Sequence, residues 1–170
     1  ITTGIILSGE GYKDRTGLLI ADNFSEAYEF NADLSKFENQ DINLYTISDH
    51  GKLAYMAINQ ELAKQTIPVG YAVSVEGTYT IAFDELRYDE DIHELLLIDY
   101  DRNETTDLLQ NEYQFYSEKG EYTQRLALQV ALAPKVSTDI EQTEQSNILI
   151  YREGNMLRLD NLPDQATVTV

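Results

Sequence analysis

The sequence predicts an all-β protein built as an antiparallel β-sandwich, with part of a second β unit at its C-terminal end. Short apolar runs alternate with a period of two, as strands with one buried face require. Turn-forming residues recur every ~8–12 positions, the spacing of a sandwich and not of βαβ units. The composition agrees, with 12 Tyr, 5 Phe and no Trp, because aromatic and β-branched side chains suit a pleated, half-buried surface.

Taken in order, Ile5–Leu7 is a first short strand closed by Ser8-Gly9-Glu10-Gly11, and Thr16–Ala21 is a second, turned by Asp22-Asn23. The segment 24–37 shows some helical offsets, but Asn31, Asp33 and Ser35 favour a loop with one turn at most. Ile42–Ile47 and Lys52–Ile58 form a hairpin about Asp49-His50-Gly51, and Asn59–Gln65 reads as a polar loop. Ile67–Tyr71 starts a strand at a proline, where a missing N–H is tolerated. Gly77–Phe83 places Tyr79, Ile81 and Phe83 on one face.

The stretch Glu94–Tyr116 organises the rest. Leu95–Ile98 has the length of a buried strand, Asp99–Thr106 is a polar loop, and Tyr113 and Phe115 resume the period of two. Leu126, Leu128, Val130 and Leu132 share one face of a further strand. The sandwich is thus expected over residues 1–132. A polar linker without period follows at 133–146, then a truncated β unit at 147–170 with a hairpin about Glu153-Gly154-Asn155.

Thirty acidic against twelve basic residues give a formal charge of -18. A nucleic-acid surface needs clustered Lys and Arg, so nucleic acid is not an expected partner. The charge serves solubility or divalent-cation binding. No Cys is present, so neither disulfides nor a thiolate metal site enter the argument. No run approaches the ~20 apolar residues of a membrane-spanning helix, and no membrane span is expected.

No reading of the sequence assembles an active site, and no cofactor is expected. There is no nucleophile elbow, phosphate loop or S-x-x-K. His50 and His93 stand apart, without the spacing of a zinc site. Asp99-Tyr100-Asp101-Arg102-Asn103 has the spacing that opens a calcium loop, but Glu104 stands where Gly is needed and Gln110 where the closing Glu is needed. With the second acidic cluster at Asp89 and Asp91, the oxygen donors for a weak calcium site are Asp89, Asp91, Asp99, Asp101 and Asn103. Tyr55, Tyr71, Tyr88, Tyr100, Tyr116 and Tyr122 are either strand residues with wet tips or a sugar-stacking platform.

Several segments occur in a suggestive order: Gly51-Lys52-Leu53-Ala54, Ile58-Asn59, Ile67-Pro68-Val69-Gly70-Tyr71, Gly77–Ile81, Thr106-Asp107-Leu108, Tyr113-Gln114-Phe115 and Arg125–Leu128. Residues 14–132 resemble the immunoglobulin-like β-sandwich module found near the C-terminus of secreted and surface proteins of Bacteroidetes. Ala54-Tyr55-Met56-Ala57 departs from that pattern by lengthening a strand. Asn147–Tyr151, Gly154–Leu157 and Ala166–Val170 are similar to the start of a type IX secretion C-terminal sorting domain, with Arg152-Glu153 in place of its Asn-Pro. The resemblance implies an immunoglobulin-like or jelly-roll-like sandwich at the cell exterior or outer-membrane surface. It implies a non-catalytic spacer, stabiliser or secretion adaptor, partnered by upstream domains of its own polypeptide and by surface or secretion machinery. The alternative is a glycan- or protein-binding adhesion module using exposed tyrosines and calcium.

Overall fold

The computed structural model describes residues 1–133 apart from 26–28, 30, 65 and 88, together with the backbone of 149–153 and 156–160. It divides into two units, Ile1–Ala133 and Pro134–Val170. In the first, the strands are β1 (Thr2–Gly9), β2 (Tyr12–Ile20), β3 (Leu34–Ser35), β4 (Ile42–Ser48), β5 (Gly51–Ile58) and β6 (Ile67–Val73). They continue as β7 (Gly77–Phe83), β8 (Ile92–Asp99), β9 (Glu104–Asp107), β10 (Tyr113–Ser117) and β11 (Gly120–Leu132).

These strands pair into one sheet in the order β10-β7-β1-β2-β5-β4-β6-β11-β8-β9, with β3 alongside β5. The all-β class read from the sequence holds. The wholly antiparallel expectation does not, because β2 and β5 run parallel from Gly17 beside Tyr55 to Ile20 beside Ile58. A parallel pair needs a long connection, and the chain through β3 and β4 supplies it.

The hydrogen-bonded path is open, and side chains of its first strand, β10, reach strands far along it. Phe115 of β10 packs edge-on against Tyr71 of β6 at 5.3 Å, although the two strands lie far apart in the sheet order. The apolar face read by period two lines the core. Leu95 and Leu97 of β8, Tyr79 and Ile81 of β7, and Leu126, Leu128 and Val130 of β11 are all buried there. Burying each such side chain contributes about 1.5–3 kcal/mol.

Several elements differ from the sequence reading. The polar run at 59–65 holds a short helix α1 (Gln60–Ala63), because the Asn59 side chain accepts the Leu62 N–H at 2.8 Å and Ala63 is buried. The expected loop 99–106 is shorter than it looked: Asp99 closes β8 and β9 begins at Glu104, so only 100–103 turn. Asn103 takes a positive φ of 51° there, a conformation Asn tolerates. β4 is buried on both faces. Leu44 lies in the core while Tyr45 covers the opposite face at Gly70, where a Cβ would collide with its ring.

In the second unit, β12 (Leu149–Glu153) pairs antiparallel with β13 (Met156–Asp160). The expected linker beyond Ala133 and the strand expected at 166–170 lie outside the described residues.

Candidate functional site

The densest polar chemistry in the first unit surrounds Asp99 and Arg125. Asp99 follows Leu95 and Leu97 on the inward face of β8 and is 1% exposed. Arg125 arrives by an irregularity. Tyr122 pairs with Tyr71 and Leu126 with Val69, so three residues of β11 face a single residue of β6. A bulge of this kind re-aims a side chain, and here it lays Arg125 over the Phe115 ring at 4.7 Å.

Arg125 Nε and Nη2 both donate to Asp99 Oδ2, at 2.9 and 2.8 Å. Tyr113 Oη donates to the same oxygen at 2.7 Å. Asp99 Oδ1 accepts the backbone N–H groups of Asp101 and Arg102 at 2.9 and 3.2 Å, which fixes the 100–103 turn. Arg125 Nη1 reaches Tyr71 Oη at 3.2 Å, and Tyr71 Oη lies 3.3 Å from Ser117 Oγ. Tyr122 stacks on Tyr71 at 4.8 Å. The cluster therefore joins β6, β8, β10 and β11.

Burial alone would raise the Asp99 pKa, but hydrogen bonds from Arg125 and Tyr113 outweigh it and hold the carboxyl below its ordinary value. A depressed carboxyl contributes stability that is present above its unfolded pKa of about 4 and lost as pH falls through the folded value. Unfolding midpoints in urea should therefore drop below about pH 4, and Asp99→Asn should remove part of that acid dependence.

Outside this cluster, Glu121 joins Tyr45 Oη at 2.5 Å and Lys52 Nζ at 2.6 Å. The hydrogen bond from Lys52, then that from Tyr45, lowers the Glu121 carboxyl. Asp84, also buried, accepts the Leu86 N–H at 3.2 Å and lies 3.1 Å from Arg15 Nη1. Beside the β11 bulge, Asp101, Glu121, Tyr122, Thr123, Gln124 and Arg125 line a shallow groove of about 390 Å³.

The five calcium candidates are not brought together. Asp89 and Asp91 precede β8 while Asp99 ends it, and an eight-residue strand separates its ends by roughly 23 Å. Asp99 is committed to Arg125, Asp101 points into solvent with its side chain 67% exposed, and Asp89 caps the Asp91 N–H at 3.0 Å. Among the described residues no three His, Cys, Asp or Glu side chains are grouped as a metal requires. The expectation that the two acidic clusters approach each other is corrected by that geometry. His50 and His93 are both exposed.

Of the six tyrosines, Tyr71 is buried and belongs to the cluster, so it cannot form a platform. Tyr55 and Tyr122 are half-buried, Tyr100 and Tyr116 are exposed, and Tyr88 lies outside the described residues. Sequence reasoning missed Arg125. The period of two places it opposite Leu126, and only the bulge turns it inward. Asp99 was readable, since 95, 97 and 99 share a face.

Among the described residues no helix is long and apolar enough to cross a membrane. The first unit is an all-β module whose densest polar chemistry ties β10 to β6, β8 and β11. Residues 13–130, well over half of the chain, match the family described as a domain of unknown function, DUF8693, and the chain belongs to that family. No curated protein and no solved structure matches it.

Proposed function

We propose that the chain is a non-catalytic accessory module of a larger secreted or surface protein, acting as a spacer, stabiliser or secretion adaptor for domains of the same polypeptide. The observation that carries this reading is the Asp99–Arg125 cluster. Its acid, its base and its two buried tyrosine hydroxyls bond one another across four strands, an arrangement suited to tying those strands together. The resemblance to the Bacteroidetes sandwich modules supports the same reading. It also favours the cell exterior or outer-membrane surface, with surface or secretion machinery as partner.

The test compares the parent polypeptide with a version lacking residues 1–133. The reading expects neighbouring domains to keep their intrinsic activity while thermal stability or surface delivery falls. Loss of a catalytic step, with the neighbours still folded, would sink it.

A second reading, glycan or protein adhesion, is favoured by Tyr100 and Tyr116, which are 54% and 55% exposed. Both attach to Arg125: Tyr100 N–H donates to its carbonyl at 2.9 Å, and the Tyr116 carbonyl accepts from Nη1 at 3.5 Å. Saturable binding on a glycan array, lost in Tyr116→Ala, would establish it over the first.

A further inference from the structure

Among the described residues β10 ends the sheet, with β7 as its single strand neighbour. Its inward residues Tyr113, Phe115 and Ser117 alternate with exposed Gln114 and Tyr116. Two residues apart in a strand, Gln114 and Tyr116 send their carbonyls to the same side. Among the described residues neither carbonyl is met there by another strand. The Gln114 carbonyl accepts from Arg102 Nη1 at 3.2 Å and the Tyr116 carbonyl from Arg125 Nη1.

An unprotected edge of this kind is a template for pairing with a second chain. The opposite end of the sheet, β9, is four residues long with Glu104 and Asp107 at its ends, so shortness and charge already blunt it. β10, one residue longer, lacks the charge: its sequence, Tyr-Gln-Phe-Tyr-Ser, is uncharged and favours strand pairing. It is also self-complementary. Two copies running antiparallel about Phe115 would set Gln114 of each opposite Tyr116 of the other, and each such pair exchanges both of its main-chain hydrogen bonds.

We infer that Arg102 and Arg125 are edge guards, which occupy the outward carbonyls of β10 and so prevent it from pairing with β10 of a second copy. Arg125 is fixed by Asp99 and serves the fold as well. Arg102 is exposed on the 100–103 turn and is the guard that can be removed without opening the core.

The experiment is sedimentation equilibrium on the full chain over a range of concentrations, for wild type, Arg102→Ala and Arg102→Ala/Gln114→Pro, with far-UV circular dichroism to show that each is folded. Proline at 114 removes an N–H that the paired edge would use and that faces away from β7. Arg102→Ala should self-associate to twice the monomer mass, with an apparent Kd at least about tenfold below that of wild type, the factor one charge-assisted hydrogen bond represents. The double variant should return to the wild-type Kd. A folded Arg102→Ala that associates no more than wild type overturns the inference, and so does association that proline at 114 leaves untouched. Arg102→Met, closer in size and without a donor, gives the same readout if the alanine variant does not fold.

Discussion

Asp99→Ala should cost the first unit about 3–5 kcal/mol, because it leaves the Arg125 guanidinium inside the fold without its carboxylate. That is a large share of the 5–15 kcal/mol typical of a domain. Tyr113 Oη and the N–H groups of Asp101 and Arg102 lose their acceptor in the same step. In urea, with m of about 1–3 kcal/mol per M, the midpoint should fall by more than about 1 M. Arg125→Met alone should be similarly damaging, since it leaves the buried carboxylate unpaired. The double replacement Asp99→Leu/Arg125→Met should recover much of the loss, because an apolar pair of similar volume often matches a buried ion pair. If the losses of the two single variants simply add in the double variant, the groups are not coupled and the account of the cluster fails.

Leu128→Asp should abolish folding. Leu128 is 1% exposed, in a strand flanked by Ile67 of β6 and Leu97 of β8. An unpaired carboxylate there costs several kcal/mol beyond the lost burial, comparable with the stability of the whole unit. The neighbouring Gln129→Asp is the control, because Gln129 is half-buried and makes a hydrogen bond to the Lys64 carbonyl at 2.8 Å. It should lose only about 1 kcal/mol. Circular dichroism and a cooperative melt distinguish the two variants. A reversed pattern would mean that β11 is slipped by one residue, since a slip of one exchanges the faces of a strand.

Much of the architecture was legible because burial on one face imposes a period of two. Leu126, Leu128 and Val130 were placed inward on that ground, as were Tyr113 and Phe115, and burial bears this out. What the period cannot show is which strands become neighbours. β1 pairs with β2 by a hairpin but also with β7, and β2 lies parallel to β5. Neither pairing leaves a mark in local sequence. Arg125 was invisible for a related reason, since a bulge suspends the alternation at the place where the side chain changes face. α1 was missed because a run of polar residues hid a capping Asn and one buried Ala. In the acidic turn the spacing offered ligands that Glu104 and Gln110 already spoke against, and the inward register of Asp99 commits that carboxylate to an arginine.

The position of β11 constrains how this unit is made. It is the last strand of the first unit in chain order, yet it lies between β6 and β8 and hydrogen-bonds both. Until residues 120–132 have left the ribosome, β6 and β8 lack the neighbour that joins them, and the two strands β8 and β9 at that end have no strand to join. The pairings that define the unit are distant in sequence, as between β1 and β7, so folding should be slow compared with a helical domain of the same size. The chain would then spend its synthesis as an unclosed precursor and fold late.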